Sequence, residues 1–195
     1  MAKIKICGLK SEQDISYVNK VRPDYIGFIL TNGYKRSIDV ETAIKLHSRL
    51  ALDIQAVGVF VNENIEIVNA CAKMGAIDLV QLHGDEDVNY CKQISAPIIK
   101  VLKPKDFDKV SIYEPYVDYF LFDSGAGSGE TFDWNKIPDC NKPYFLAGGL
   151  NKDNLSQAIK STNAYAVDMS SSVETEGVKD FDKIKEIINI VRNTK

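Results

Sequence analysis

Lys3-Ile4-Lys5-Ile6-Cys7-Gly8 opens the chain, and Tyr25-Ile26-Gly27-Phe28-Ile29-Leu30 follows after a stretch that begins Ser11-Glu12-Gln13-Asp14-Ile15. Both flanking runs are short and apolar, as strands are, while Ile15, Val18 and Val21 between them recur at helical spacing. Ser11 with Asp14 three residues on is an entry signal for that helix. The opening therefore reads as strand, helix, strand.

The same unit recurs to the end of the chain. Candidate strands lie at residues 4–7, 25–30, 56–61, 77–82, 97–102, 119–123, 144–147 and 164–169, eight in all. Helical periodicity returns at Ala43, Ile44 and Leu46, at Ile65, Val68 and Ala72, and at Ile184, Ile187, Ile188 and Val191. Asn62 before Glu63, Gly84 before Asp85-Glu86-Asp87, and Asn151 before Lys152-Asp153-Asn154 read as further helix starts. Near-continuous apolar strands alternating with helices imply a parallel sheet buried on both faces, and eight such units match a closed (βα)8 TIM barrel. Residues 1–195 are expected to form one compact α/β domain. The alternative, an open doubly wound sheet, has no clear glycine-rich dinucleotide fingerprint after its first strand.

Composition narrows the partners. The 24 basic residues are dispersed among 27 acidic ones for a net charge of −3, which argues against nucleic acid or an anionic membrane and for a small soluble ligand. Only four of the basic residues are arginines, Arg22, Arg36, Arg49 and Arg192. Cys7, Cys71, Cys91 and Cys140 show no CxxC spacing and are read as reduced thiols of a cytoplasmic protein. Met1 leads directly into the first strand, without a signal-peptide pattern, and no apolar run approaches the roughly 18 residues of a membrane span.

In a βα barrel the chemistry gathers just after each strand. Cys7-Gly8 stands there after the first strand, Arg36 in the second loop, Gln81-Leu82-His83-Gly84 after the fourth, and Asp123 at the end of the sixth. Gly148-Gly149 follows the seventh strand and Ser170-Ser171-Ser172 the eighth, where backbone N–H groups and hydroxyls suit a phosphate. Each has a plainer reading as well. Asp123 can cap a turn, Arg36 can be a solvated loop charge, His83 can satisfy a carbonyl, and a glycine pair is most often a turn. The glycines after Asp123 lead to Phe132 and Trp134, an apolar anchor for a flap that would exclude water. With only His47 and His83 in the chain, a histidine-based metal site is not expected. Strand alternation adds that if Cys7 faces the barrel mouth, Lys5 points inward beneath it. That ammonium would need Asp168 or Asp123 as partner and would favour thiolate; otherwise Lys3 and Lys5 lie in solvent.

Taken together, Lys5-Ile6-Cys7-Gly8-Leu9, Gln81-Leu82-His83-Gly84, Asp123 with Phe132-Asp133-Trp134, Leu146-Ala147-Gly148-Gly149-Leu150, Asp168-Met169-Ser170-Ser171-Ser172-Val173-Glu174 and Gly177-Val178-Lys179-Asp180 resemble the phosphoribosylanthranilate isomerase family of tryptophan biosynthesis. The resemblance runs in order along nearly the whole chain. It implies a cofactor-free Amadori rearrangement of a phosphosugar by a monomer or homodimer, with Asp123 as general acid and Cys7 as general base. It also implies Arg36 as holder of the anthranilate carboxylate, Gln81, His83 and Asp168 as substrate contacts, and Gly148, Gly149, Ser170 and Ser171 as the phosphate cradle. Two positions depart from the family pattern: Tyr34-Lys35 replaces a Ser-Pro pair before Arg36, and Ser172 replaces a glycine. Sugar-phosphate isomerases of histidine biosynthesis typically carry a carboxylate where Cys7 stands, and a non-catalytic binding barrel would need no opposed acid and base.

Overall fold

A computed structural model describes residues 1–125 and 131–194. Eight parallel strands close on themselves in sequence order: β1 (Lys3–Cys7), β2 (Tyr25–Ile29), β3 (Gln55–Phe60), β4 (Leu79–Leu82), β5 (Ile98–Leu102), β6 (Tyr119–Phe122), β7 (Tyr144–Leu146) and β8 (Ala166–Met169). β1 seals the barrel against β8, with Lys5 beside Asp168 in register. Every candidate strand of the sequence is present, within two residues at either end.

Alternation along the strands sorts side chains into two layers. Tyr25, Val57, Leu79, Ile99, Val101, Leu121, Phe145, Ala147 and Ala166 fill the barrel interior. The intervening residues, such as Ile4, Ile6, Ile26, Phe28, Phe120 and Phe122, pack outward under the helices. The helices are α1 (Glu12–Val21), α2 (Val40–His47), α3 (Ile65–Lys73), α4 (Val88–Cys91), α5 (Val110–Tyr113), α6 (Leu155–Thr162) and α7 (Phe181–Asn193). Ser11 and Asp14 form the reciprocal capping box of α1 that their spacing predicts. α7 is capped by Asp180, whose carboxylate accepts from the Asp182 and Lys183 amides.

Three expected helix starts are displaced, for one reason: short amide and carboxylate side chains also build turns before a helix. Asn62 adopts a left-handed φ of 48° and its Oδ1 accepts from the Asp85 amide, while Asn64 caps α3. Gly84 lies in a loop, and Asp87 caps α4 by accepting from the Tyr90 amide at 2.8 Å. Asn151 Oδ1 accepts from the amides of Asp153 and Asn154, closing a turn ahead of α6.

Strand and helix do not alternate throughout. Among the described residues the connection from β6 to β7 carries one 3-10 turn, Trp134–Lys136, and no α-helix. Between β5 and β6, 3-10 turns at Pro104–Lys109 and Glu114–Tyr116, each with a proline in its first two positions, flank the four-residue α5. A small antiparallel hairpin, β9 (Glu174–Thr175) and β10 (Val178–Lys179), sits between β8 and α7 and was not anticipated.

Candidate active site

Strand register brings Cys7, Gln81, His83, Asp123 and Asp168 together. On β1 the inward positions are Lys3, Lys5 and Cys7, since Ile4 and Ile6 belong to the outer layer. The inward column of β4 runs from Leu79 to Gln81 and on to His83, that of β6 from Leu121 to Asp123, and that of β8 from Ala166 to Asp168. All of these columns emerge at the carboxyl ends of the strands. Cys7, Arg36, Gln81, His83, Asp123 and Asp168 line one cavity of about 490 Å³, and Gly148, Gly149, Ser170 and Ser171 line it too. That size suits a single small metabolite.

The floor is ionic. Lys5, fully buried, donates from Nζ to Asp168 Oδ2 at 2.9 Å, so the inward alternative for Lys5 holds and the solvated one does not. Burial opposes its charge, but Asp168 and the Cys7 thiol outweigh that and hold Lys5 above the usual lysine range. Burial likewise pushes the Asp168 carboxyl up, with Lys5 pulling it back. The other carboxylate oxygen, Asp168 Oδ1, is buried without a hydrogen-bond partner among the described residues. A buried acceptor beside an open cavity suits a ligand hydroxyl.

The cation beneath Cys7 acts in the expected direction but is outweighed. Lys5 does pull the pKa of the thiol down, yet burial is the larger influence and Asp168 adds to it, so Cys7 stands above the ordinary cysteine range. The cation beneath it moderates the cost of the thiolate without cancelling it.

Asp123 caps a turn and also lines the cavity. Oδ1 accepts from the Gly125 amide at 2.9 Å and so caps a turn, while Oδ2 faces His83 Nε2 at 3.6 Å. His83 Nδ1 accepts from Gln81 Nε2 at 3.1 Å, which assigns the ring proton to Nε2, the atom facing the acid. Burial lowers the His83 pKa despite Asp123, keeping the ring neutral at physiological pH. Phe132 packs edge-on to Phe107 and Trp134 against the outer core, so the apolar anchor is present. The flap itself falls largely on residues 126–130, outside the described residues.

The loops after β7 and β8 meet at the cavity. Gly148 and Gly149 adopt φ of 85° and 67°, and a Cβ at Gly148 would overlap Ser124 of the neighbouring loop. Their N–H groups have no acceptor among the described residues. Ser170 spends its hydroxyl proton on the Cys7 carbonyl at 3.2 Å, so that hydroxyl is not a free donor. Ser172 sits in a 3-10 turn with Ser171 and Val173 and has no positive φ, so a glycine is not required there. Arg36 is not a solvated charge: it pairs with Glu174 at 2.6 Å. Its loop is held by Ser37, whose hydroxyl donates to the Thr31 carbonyl at 2.6 Å and accepts from the Tyr34 amide. Neither bond uses the positions that depart from the family pattern at Tyr34-Lys35 through their side chains.

A sequence profile described as N-(5'-phosphoribosyl)anthranilate (PRA) isomerase matches residues 4–190. The chain belongs to the PRA isomerase family. Its activity is the isomerisation of N-(5'-phosphoribosyl)anthranilate in tryptophan biosynthesis. The N-(5'-phosphoribosyl)anthranilate isomerase of Endomicrobium trichonymphae is 48% identical over 99% of this chain and all of its own length. That of Thermoanaerobacter sp. strain X514 is 42% identical over 98% of each chain. Among solved structures, PRA isomerase from Thermotoga maritima superposes with a TM-score of 0.87 at 32% identity, covering 98% of this chain and 99% of that one. A PRA isomerase in complex with reduced 1-(o-carboxyphenylamino)-1-deoxyribulose 5-phosphate gives a TM-score of 0.85 at 31% identity, with the same coverage.

Two parts of this PRA isomerase site were missed from sequence. Glu174 and Lys179 were visible only as members of matched segments, with no signal that they would converge on Arg36. Gly27, in register with Cys7 on β2, was read only as part of a strand. A Cβ there would stand 2.6 Å from Cys7 Sγ and 3.2 Å from Lys5 Nζ. A glycine inside a strand marks such a close approach. Gly27→Ala is expected to displace the thiol and lower kcat about tenfold or more, since an ångström of misplacement costs up to about a hundredfold. Steady-state kinetics alongside a thermal melt checks this, and unchanged kcat in a folded variant would remove Gly27 from the site.

Proposed function

We propose that the isomerisation proceeds as an Amadori rearrangement by general acid and base catalysis, with Asp123 as the acid and Cys7 as the base. The observation that carries this reading is that both project from inward strand positions into one cavity, beneath two donor-rich loops. The phosphate of the substrate lies on the Gly148-Gly149 amides and the loop of Ser170 and Ser171. The anthranilate carboxylate lies on Arg36, whose planar fork suits a carboxylate.

Asp123 transfers a proton to the furanose ring oxygen as the bond from that oxygen to C1 breaks, and the nitrogen lone pair closes the Schiff base. The protonated imine acidifies the C2–H bond. The Cys7 thiolate takes that proton, and the C–H electrons form the C1–C2 double bond of an enolamine. Tautomerisation then puts a proton on C1 and removes one from the 2-hydroxyl, giving the open-chain aminoketose, so the overall change is an isomerisation. Asp168 Oδ1 accepts a substrate hydroxyl, while Gln81 orients His83 beside the acid.

The pH dependence follows from the thiol. The base works deprotonated, and burial holds Cys7 above the ordinary cysteine value. Accordingly the rate at which iodoacetamide alkylates Cys7, read as wild type minus Cys7→Ser, rises about tenfold per pH unit through neutrality. It levels off only above the usual thiol range. An alkylation rate already flat at neutral pH would rule out a free-enzyme thiol held above the ordinary cysteine pKa.

The reading extends to the whole chain. The 195 residues act as one barrel domain on a small phosphosugar in the cytoplasm, as monomer or homodimer. A related PRA isomerase is described as dimeric and has been converted to monomers. No helix among the described residues is long and apolar enough to cross a membrane.

A further inference from the structure

We infer that Glu174 and Lys179 of the β9–β10 hairpin are positioning residues that fix Arg36 for the aryl carboxylate and thereby set selectivity for a carboxylated substrate. The inference rests on the reading that Arg36 receives that carboxylate.

Arg36 comes from a loop, and a long side chain on a loop loses much rotamer freedom when it must hold one pose. Here it is held at both ends. Its stem lies across the backbone of Gly8, where φ is 82° and an added Cβ would stand 2.9 Å from Arg36 Cδ and 3.0 Å from Nε. Its tip donates from Nη1 to Glu174 Oε1 at 2.6 Å. That bond occupies one of the guanidinium donors and leaves the remaining N–H groups for a ligand in the cavity Arg36 lines.

Glu174 is itself held. The same Oε1 accepts from Lys179 Nζ at 2.7 Å, and Lys179 Nζ also donates to the Ser170 carbonyl at 2.9 Å. The Lys179 side chain is 2% exposed, so it reaches no solvent and does not line the cavity. Burial lowers its pKa, with Glu174 opposing. One buried ammonium thus joins the strap on Arg36 to the loop proposed for phosphate. The hairpin and the Arg36 loop also pack together at the turn, since a Cβ at Gly177 would stand 2.6 Å from Lys35 Nζ. The charges alternate along Arg36, Glu174 and Lys179. Without Glu174, two neighbouring cations would lose the anion between them, and Arg36 would be free to swing.

The test separates carboxylate recognition from general damage. Calorimetry would compare the reduced 1-(o-carboxyphenylamino)-1-deoxyribulose 5-phosphate with its phenylamino counterpart lacking the carboxylate, against wild type, Glu174→Ala, Glu174→Gln and Arg36→Met. Glu174→Ala is expected to weaken the carboxylated ligand about tenfold or more, the scale of one charge-assisted hydrogen bond, and the carboxylate-free ligand less than about threefold. Glu174→Gln, which retains an acceptor at the same reach, recovers part of the loss. In turnover the effect falls on KM more than on kcat.

Equal weakening of both ligands, or tighter binding of the carboxylated one, would overturn the positioning role. The outcomes also distinguish the two layers of the argument. If Arg36→Met fails to discriminate the ligands, the assignment of Arg36 is wrong. If Arg36→Met discriminates and Glu174→Ala does not, the inference about Glu174 alone fails.

Discussion

Cys7→Ser and Asp123→Asn are each expected to lower kcat by about a hundredfold or more, with the fold and the phosphate site intact. Acid and base groups contribute roughly 10² to 10⁴ each, and neither replacement can pass a proton as the original does. Serine keeps the size and the hydrogen-bonding capacity of the thiol but is far too weak an acid to yield an anion near neutrality. Asparagine keeps the Asp123 cap on the Gly125 amide through its carbonyl oxygen, so the turn survives while the proton donor is lost. The readout is the fluorescence change on consumption of phosphoribosylanthranilate, together with calorimetric binding of the reduced product analogue. Near-wild-type turnover in either variant would remove that residue from the mechanism. Loss of turnover with loss of binding would instead point to a damaged pocket.

What made Cys7 and Asp123 legible is the period of two in a barrel strand. A residue at the carboxyl end of an apolar run either points into the mouth or does not, and the neighbouring apolar positions decide which. The same rule placed Lys5 under Cys7 and made Asp168 one of two possible partners. It failed where side chains meet by tertiary approach. Gly27 reads as an ordinary weak spot in a strand until the thiol of the next strand is seen against it. Glu174 and Lys179 lie on a hairpin too short to announce itself, with the turn carried by Glu176 and Gly177 at positive φ. The net direction of the Cys7 shift was not legible for a related reason. Sequence names the nearby cation, whereas the desolvation that outweighs it depends on how completely the mouth is packed.

Lys5→Met is expected to be the most damaging single change to stability. The ammonium and Asp168 are both buried, at 0% and 9% side-chain exposure, and the methionine leaves the carboxylate without its partner in the barrel interior. Breaking a buried pair from one side costs about 3–5 kcal/mol, chiefly through the uncompensated charge that remains. Removing the charge from both sides differs in kind. Lys5→Met combined with Asp168→Leu discards the desolvation penalty along with the attraction, and such replacements are often neutral or better. Urea denaturation should therefore show the double variant recovering most of what the single variant loses. Activity should not follow stability. The double variant lacks the cation that eases ionisation of Cys7 and the oxygen proposed to accept a substrate hydroxyl, so its kcat stays low while its midpoint returns. A double variant as unstable as Lys5→Met alone would mean that the pair stabilises the barrel outright. In that case the ionic floor belongs to the fold, and its service to the thiol is secondary.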